Sequence, residues 1–236
     1  MSEPKSRKEQ VRLMFDNIAR KYDFLNHFLS AGIDKGWRKK VVKLIIQQQP
    51  THILDVATGT ADLAIALAQK SKSPITGIDI SNGMLEIGRE KLKKLKLDQQ
   101  ILLQQADSEN IPFADQTFDA VMVAFGVRNF ETLDKGIKEM FRVLKPGGML
   151  AVLEFSKPRK FPVKQLYNFY FKYILPMLGR MISKDKAAYT YLPESVGQFP
   201  DGKLFLNRME SCGFVKNSEK RLTFGIATIY TGFKAD

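Results

Sequence analysis

Three aspartates follow short apolar runs of the kind that form the buried strands of a parallel sheet. Asp55 lies within the run at 53–57, Asp79 near the end of the run at 75–80, and Asp107 just after the run at 101–105. In an open α/β sheet the carboxyl ends of the strands meet at one edge, where ligands bind. A carboxylate there can accept hydrogen bonds from both hydroxyls of a ribose. Strand-end polar residues without a ligand are the plain alternative, but three in succession predict a nucleoside site.

The segment at 53–63 (ILDVATGTADL) predicts a strand that enters a turn of small residues and then a helix. Gly59 lets the backbone approach a ligand closely. A nicotinamide or flavin dinucleotide site needs three spaced glycines around its pyrophosphate, and Gly59 is the single glycine of this turn. We therefore favour a nucleoside cofactor without phosphates, S-adenosylmethionine. Asp55 is then expected near its amino-acid end, Asp79 on the ribose and Asp107 on the adenine.

The pattern along the chain indicates how these residues are positioned. Five apolar runs alternate with three helical patterns; the runs lie at 53–57, 75–80, 101–105, 118–123 and 149–155, and the helical patterns at 61–71, 82–96 and 132–144. Such alternation predicts an α/β fold with a doubly wound, mostly parallel sheet. Two further strand-like runs, at 213–221 and 223–233, follow a helical stretch at 201–211. We expect these two runs to form an antiparallel edge of the same sheet.

Length and texture predict a single domain with two helical additions. A chain of 236 residues fits one domain of ordinary size. Residues 1–50 carry apolar residues at helical spacing, which predicts an N-terminal helical arm. Residues 51–236 are expected to form the domain that contains the sheet, with a helical insertion at about 157–198. The turn-forming residues at 145–148 (KPGG) predict a break between the last helix of the alternating region and its fifth strand.

The composition excludes several kinds of site and partner. One cysteine and two histidines cannot supply a cysteine-cluster or multi-histidine metal centre, so no metal is expected. The N-terminus lacks the apolar core of a secretory signal, and no apolar run reaches the roughly 18–20 residues that span a bilayer, so we predict a cytoplasmic protein. The net charge of +12 indicates a polyanionic partner, either a nucleic acid or an anionic membrane surface.

Basic and aromatic residues interleave at 157–184, and this segment permits three interpretations. At a membrane surface, its lysines and arginines would meet anionic head groups while its aromatic rings enter the interface, giving peripheral contact at the inner face. On a nucleic acid, the same residues would contact phosphates and stack on bases. The third interpretation is a solvated basic face over an aromatic core. A membrane-resident substrate would favour the first, with no nucleic acid.

Several short segments give the sequence a specific resemblance. They are FDNIA at 15–19, YDFLN at 22–26, SAG at 30–32, WR at 37–38, the turn at 55–63, FGVRN at 125–129, LKPGG at 144–148, LEFSKP at 153–158 and YTYLPES at 189–195. On these segments the chain resembles the ubiquinone/menaquinone biosynthesis C-methyltransferase family from about residue 12 to its end. The resemblance is greatest to the members that methylate demethylmenaquinone. The KPGG turn is common to many methyltransferases, whereas FGVRN together with EFSKP is much narrower.

The resemblance implies a class I S-adenosylmethionine-dependent methyltransferase fold with a seven-stranded sheet. It also implies transfer of a methyl group to a ring carbon of a reduced, prenylated quinone. The cofactor contacts that it carries over are Thr60, Asp79, Asp107 and Ser108. Many relatives have glycine where this chain has Thr58 and Ala61, and asparagine is frequent at the position of Asp107. Because Thr58 and Ala61 are still small, the turn is expected to survive.

The acceptor side is expected beyond the fourth strand, where acceptor chemistry usually lies in the implied fold. Arg128 and Asn129 follow that strand. Arg128 either orients a hydroquinone oxygen or a water, or pairs with Glu154 to hold two strand ends together, and both roles are compatible. Walls of the acceptor pocket are expected from the arm and the insertion, at Tyr22, Asp23, Asn26, Tyr189 and Tyr191, with core packing as the alternative for each aromatic residue.

Other functions stay open at this point. A prenylated benzoquinol of ubiquinone biosynthesis is an alternative acceptor. The basic charge also permits an RNA or protein methyltransferase, and a non-catalytic S-adenosylmethionine-binding module is a further alternative. The sequence does not determine the prenyl length, the general base or the oligomeric state. A homo-oligomer is one of the states that it permits.

Overall fold

A seven-stranded sheet lies at the centre of the computed structural model, which describes residues 6–30, 32–174 and 186–236. Its strands are β1 (Ile53–Val56), β2 (Ile75–Asp79), β3 (Ile101–Gln105), β4 (Phe118–Ala124), β5 (Leu144–Phe155), β6 (Val215–Leu222) and β7 (Ala227–Phe233). They lie in the order β3–β2–β1–β4–β5–β7–β6. The pairs from β3 to β5 are parallel, and β7 runs antiparallel to both of its neighbours. The predicted doubly wound α/β fold and its antiparallel edge are confirmed.

Helices cover both faces of the sheet and its carboxyl edge. They are α1 (Arg7–Leu29), α2 (Ile33–Gln47), α3 (Asp62–Ala68), α4 (Asn82–Leu95), α5 (Leu133–Val143), α6 (Val163–Phe169), α7 (Lys186–Gln198) and α8 (Lys203–Ser211). α6 continues into a π-helical turn at Tyr170–Ile174. At 21, 24–29, 171–172 and 186–190 the structure describes the backbone but not the side chains. Within the described ranges, no helix is long and apolar enough to cross a membrane.

Two apolar cores lie on opposite faces of the sheet because successive residues of a strand point to opposite sides. Ile53 of β1 packs in the core that contains Trp37 and Val41 of α2. Its neighbour Leu54 packs in the core that contains Ile137 of α5. Every residue of β1 is buried, as expected for a parallel strand with helices on both sides. The ends of these strands are therefore held in fixed positions.

The chain differs from the predicted pattern at two turns. β5 begins at Leu144, before the KPGG segment, and its pairing with β4 shifts register instead of stopping. Gly147 has a φ angle of 72° in this irregularity, a value that glycine adopts without strain. The predicted run at 223–233 becomes a strand only at Ala227, because Thr223–Gly225 form a tight turn. The irregularity thus falls on the predicted KPGG turn, whereas β7 begins four residues later than predicted.

Candidate functional site

An open cleft of about 680 Å³ lies at the carboxyl ends of the central strands. This is the edge at which ligands bind in doubly wound sheets. The residues identified from the sequence that line it are Tyr22, Gly59, Asp79, Asp107, Ser108 and Asn129. Asp55 and Thr60 line a smaller recess beside the cleft, together with Tyr22. The structure thus brings eight of the predicted site residues to one edge of the sheet.

The turn after β1 is built from residues in the left-handed region of backbone space. Ala57, Gly59 and Ala61 have φ angles of 51°, 57° and 66°. This region is unfavourable for residues that carry a Cβ atom, so two alanines here need support from their surroundings. Thr58 supplies part of it, since its Oγ1 donates to Asp55 Oδ2 at 2.7 Å and its N–H to the carbonyl of Ile78 at 2.9 Å. The turn forms with a single glycine.

Asp55 has almost no access to water beneath this turn. The residue is 1% exposed, and burial raises the pKa of its carboxyl to about 7. The hydrogen bond from Thr58 acts in the opposite direction, while the neighbouring Asp79 raises the pKa further. A buried carboxylate destabilises the fold unless it is hydrogen-bonded. Asp55 holds the turn through its hydrogen bond with Thr58, but its charged form, which becomes more populated as the pH rises, is destabilising.

The contribution of Asp55 to stability is expected to fall as the pH rises towards about 7. The folded protein holds the Asp55 proton more tightly than the unfolded chain does, so this proton stabilises the fold at low pH and is lost as the pH passes through the folded pKa. Asp55→Asn removes the titration. We expect the free energy of unfolding of this variant minus that of the wild type to increase with pH, by at most about 1.4 kcal/mol per pH unit. Urea unfolding at several pH values measures the difference, and a constant value would contradict the expectation.

Asp79 ends β2 and faces the cleft. Its Oδ2 accepts a hydrogen bond from the backbone N–H of Gly59 at 2.8 Å, and its Oδ1 accepts one from Ser81 at 2.9 Å. Burial raises the pKa of Asp79 to about 6, although these two N–H groups lower it. A carboxylate has about four acceptor positions, so Asp79 keeps acceptor capacity for a ligand in the cleft. Asp79 therefore both ties the first two strand-end loops together and presents acceptors to the cleft.

Asp107, after β3, has a cationic partner from the far end of the chain. Lys8 Nζ lies 2.7 Å from Asp107 Oδ2 and 3.4 Å from Glu109 Oε2. Asp107 Oδ1 accepts from the N–H of Glu109 at 2.9 Å. Glu109 is buried, and its Oε1 accepts from the N–H groups of Glu131 and Thr132. Lys8 was not identified from the sequence, because nothing near it in the chain indicates a partner 99 residues away.

α1 crosses the carboxyl edge and is fixed to the loop after each of the first three strands. Lys8 near its start binds the loop after β3, as described, and Asp16 in its middle binds the loop after β2. Asp16 Oδ1 accepts from Ser81 Oγ at 2.6 Å and from the N–H of Gly83 at 3.0 Å. A Cβ atom on Gly83 would lie 3.2 Å from the Cα atom of Asp16, so glycine permits this close approach. Asp16 belongs to the FDNIA segment at 15–19, but the sequence did not indicate this contact.

Lys91 of α4 holds the end of α1 on the turn after β1. Its Nζ lies 2.9 Å from Asp23 Oδ2 and 3.1 Å from Thr60 Oγ1, and it also contacts Asp62. Thr60 Oγ1 in turn donates to Asp23 Oδ1. These three acceptors match the three N–H donors of an ammonium group. Asp23 thus lies behind Thr60 as a link between α1 and the turn.

We expect Lys91→Met to loosen α1. The variant would lose three charge-assisted contacts in a partly exposed position and leave Asp23 and Asp62 without this cation, so its free energy of unfolding should fall by about 1–2 kcal/mol. Backbone amides at 7–29 should also exchange with solvent faster. Lys94→Met on the exposed side of the same helix is the matched control. Equal exchange in the two variants would show that Lys91 does not hold α1.

Arg128 and Glu154 form a buried ion pair beside the cleft. Arg128 Nη1 lies 2.8 Å from Glu154 Oε1 and donates to the carbonyl of Phe125 at 2.5 Å. The side chains are 6% and 0% exposed, and burial raises the pKa of Glu154 while Arg128 lowers it. The guanidinium also lies over the ring of Phe155. Arg128 Nε is buried and has no hydrogen-bond partner among the described residues.

Asn129 connects the cleft to the insertion. It lines the cleft, its Nδ2 donates to the carbonyl of Phe125 at 3.4 Å, and its Oδ1 accepts from the hydroxyl of Tyr191 at 3.1 Å. α7 therefore contacts the segment that follows β4. The predicted wall residues Tyr189 and Asn26 lie in α7 and α1, but their side chains fall outside the described residues. Arg128, Glu154 and Asp23 are not among the described side chains that line the cleft.

Comparison with known proteins decides the family. A model of the ubiE/COQ5 methyltransferase family matches residues 3–234 of the chain. The chain belongs to the ubiE/COQ5 methyltransferase family. The predicted resemblance to quinone C-methyltransferases is therefore confirmed, and so is the prediction of an S-adenosylmethionine-dependent methyltransferase.

Individual relatives are similar along nearly their whole length. The demethylmenaquinone methyltransferase of Bacteroides fragilis is 49% identical over 227 residues, which are 96% of this chain and 93% of the relative. The ubiquinone/menaquinone biosynthesis C-methyltransferase UbiE of Geotalea daltonii is 48% identical over 228 residues, which are 96% and 97% of the two chains. Some relatives are thus named for menaquinone alone, and others are named for both ubiquinone and menaquinone.

Solved structures with the same fold have much lower identity. A methyltransferase from Thermotoga maritima, described as S-adenosylmethionine-dependent, is 16% identical with a TM-score of 0.66 and covers 94% of this chain and 99% of its own. The cyclase SpnF is 18% identical with a TM-score of 0.68 and covers 100% and 99%. These structures confirm the class I fold and no more, since one of them is named for a different reaction and a fold does not define a function.

Proposed function

We propose that this protein transfers a methyl group from S-adenosylmethionine to a ring carbon of demethylmenaquinol, producing menaquinol in menaquinone biosynthesis. The observation that carries the proposal is the acidic cleft at the carboxyl edge of the sheet, with the buried Arg128–Glu154 pair after β4 and at the end of β5. The name of the 49% identical relative from Bacteroides fragilis supports this acceptor.

The charges of the cleft suit a cationic nucleoside better than a pyrophosphate. Among the described residues, four carboxylates line it, at Asp79, Asp107, Glu109 and Glu131, and the one cationic side chain, Lys8, is paired with two of them. Such a wall repels phosphates and attracts a sulfonium. S-adenosylmethionine, when bound, supplies an electrophilic methyl group on that sulfonium. The donor and acceptor set of the cleft fits this cofactor.

The chain's own residues divide the cofactor site into three parts. We assign the ribose hydroxyls to Asp79, which faces the cleft, and the adenine end to Asp107 and Ser108. The amino-acid end is assigned to the recess beside the turn, with Gly59 and Thr60 at its wall and Asp55 beneath it. Lys8 would have to share Asp107 with the adenine.

On the acceptor side we assign Arg128 to the hydroquinone oxygen. A hydroquinone is most nucleophilic at carbon when its hydroxyl has lost a proton, and the positive charge of a guanidinium stabilises the resulting phenolate. Glu154 holds the guanidinium in place, and Asn129 and Tyr22 line the cleft. The ring carbon that gains the methyl group must release its own proton. α1 limits access of bulk water to the cleft, which strengthens these electrostatic effects.

The choice of acceptor can be measured with purified protein. We expect kcat/KM for a short-chain demethylmenaquinol to exceed that for a matched prenylated benzoquinol by at least about tenfold, because a site for the fused ring loses contacts with a single ring. A preference for the benzoquinol would move the protein to ubiquinone biosynthesis. Methylation of RNA with neither quinol as a substrate would overturn the proposal.

We also propose that the basic and aromatic segment makes peripheral contact with an anionic membrane. α6 buries none of its residues, and Leu166, Phe169 and Tyr173 are exposed. Lys160 and Lys164 are exposed on the same segment; the predicted part at 175–184 lies outside the described residues. The protein is expected to sediment with vesicles that contain anionic lipid and to be released by salt, since the attraction is screened. Equal sedimentation with neutral vesicles would contradict this contact.

A further inference from the structure

The turn between β6 and β7 holds a large apolar side chain in solvent. Thr223, Phe224 and Gly225 have φ angles of 45°, 57° and 95°, so three consecutive residues are in the left-handed region. Glycine adopts such angles without strain, but a β-branched residue followed by phenylalanine does not. The side chain of Phe224 is nevertheless 82% exposed. The backbone strain therefore does not serve to bury the ring.

Buried partners hold this turn in place. Trp37 Nε1 donates to Thr223 Oγ1 at 2.8 Å, and Ser156 Oγ donates to the carbonyl of Gly225 at 2.8 Å. Trp37 and Ser156 are both almost fully buried. Strain that the surrounding structure maintains in this way is typical of functional positions. The ring of Phe224 is thus presented to solvent from a fixed base.

The surroundings of the turn are rich in cations. Arg221 lies at the end of β6, and its Nη1 is 3.4 Å from the carbonyl of Lys157. Arg159 lies two residues after Lys157 in the chain. The acidic residues among them are Asp201 and Glu219, which have ion-pair contacts with these cations. A Cβ atom on Gly225 would lie 3.6 Å from the Cα atom of Pro158, so the turn packs against the start of the basic and aromatic segment.

We propose that the Thr223–Gly225 turn is a second membrane-contact element, with the ring of Phe224 entering the interface of an anionic bilayer whose head groups are bound by the partly exposed Lys157 and the exposed Arg159. This inference rests on the membrane contact proposed above and adds a loop from the opposite end of the chain. An aromatic ring beside basic side chains is the chemistry of an anionic lipid surface. A second copy of this face is a poorer partner, because pairing would bring the cations of both copies together.

The turn offers a variant that removes the ring without disturbing the fold. Asparagine adopts the left-handed region more readily than phenylalanine, so Phe224→Asn should fold at least as well as the wild type. We expect its partition onto vesicles of phosphatidylglycerol and phosphatidylcholine to fall about tenfold, as for loss of one buried aromatic ring. Phe224→Trp should keep wild-type partition. Leu204→Gln, which removes an exposed apolar side chain from α8, is the matched control and should have no effect.

Methyl transfer to a short-chain quinol in solution separates the outcomes. Phe224→Asn should keep the wild-type rate with this substrate, because Phe224 is not among the described residues that line the cleft or the recess beside it. Wild-type partition of Phe224→Asn would overturn the proposal, and so would a change from dimer to monomer in sedimentation of the variant without lipid. Vesicle binding is measured without quinol, so absence of methyl transfer in the wild type would count against the proposed reaction and leave this inference intact.

Discussion

Arg128→Ala is expected to lower kcat by about two to three orders of magnitude while the Kd for S-adenosylhomocysteine stays within about twofold of the wild-type value. Loss of one charged donor to an oxyanion has effects of this size. Arg128 is the neighbour in sequence of Asn129, which lines the cleft, whereas the cofactor contacts are assigned to other residues. Single-turnover methyl transfer and calorimetry on the same preparation measure the two quantities.

A second variant separates the loss of catalysis from the loss of fold stability. Arg128→Ala leaves Glu154 buried without its cation, which destabilises a fold by several kcal/mol unless the carboxyl takes up a proton. The double variant Arg128→Ala with Glu154→Gln removes that charge as well. If the double variant melts near the wild-type temperature and also turns over at the wild-type rate, Arg128 has no catalytic part.

Asp79→Ala is expected to raise the Kd for S-adenosylhomocysteine by roughly 10–100-fold, the equivalent of roughly 1.5–3 kcal/mol for hydrogen bonds to a charged acceptor. The ribose hydroxyls would lose their carboxylate, and the turn at Gly59 would lose the acceptor that its N–H uses. At saturating cofactor, kcat should change much less, because Asp79 is not assigned to the acceptor. Asp98→Ala, at an exposed turn, is the control.

Calorimetric titration with the product cofactor measures the effect of Asp79 directly. Because Asp79 also holds backbone N–H groups, Asp79→Asn belongs beside it: it retains one acceptor and should give an intermediate Kd. A Kd for Asp79→Ala equal to that of Asp98→Ala would remove Asp79 from the cofactor site.

The positions of the strand-end acids followed from the sequence because they depend on local pattern. Each of Asp55, Asp79 and Asp107 is within two residues of an apolar run, and parallel strands must bring their carboxyl ends to one edge. The same reasoning predicted the antiparallel pair β6 and β7. It required no knowledge of contacts between distant segments.

The position of α1 at the cleft could not be predicted in the same way. An amphipathic pattern indicates that α1 packs against something, but not where it lies. Its position depends on ion pairs such as Lys8 with Asp107 and Asp23 with Lys91, which join residues 99 and 68 positions apart. The tight turn at Phe224 was missed for a different reason. Its residues favour a strand locally, and buried partners in α2 and after β5 impose the left-handed angles.

The most direct test of the central claim is methyl transfer from labelled S-adenosylmethionine to a short-chain demethylmenaquinone, supplied once reduced and once oxidised. The proposed chemistry needs an electron-rich ring carbon, so label should appear in the quinone product when the substrate is reduced and be absent when it is oxidised. Equal labelling of the two forms would contradict the phenolate role of Arg128. No labelling of either form, in a preparation that binds S-adenosylhomocysteine, would contradict the assignment of demethylmenaquinol as the acceptor.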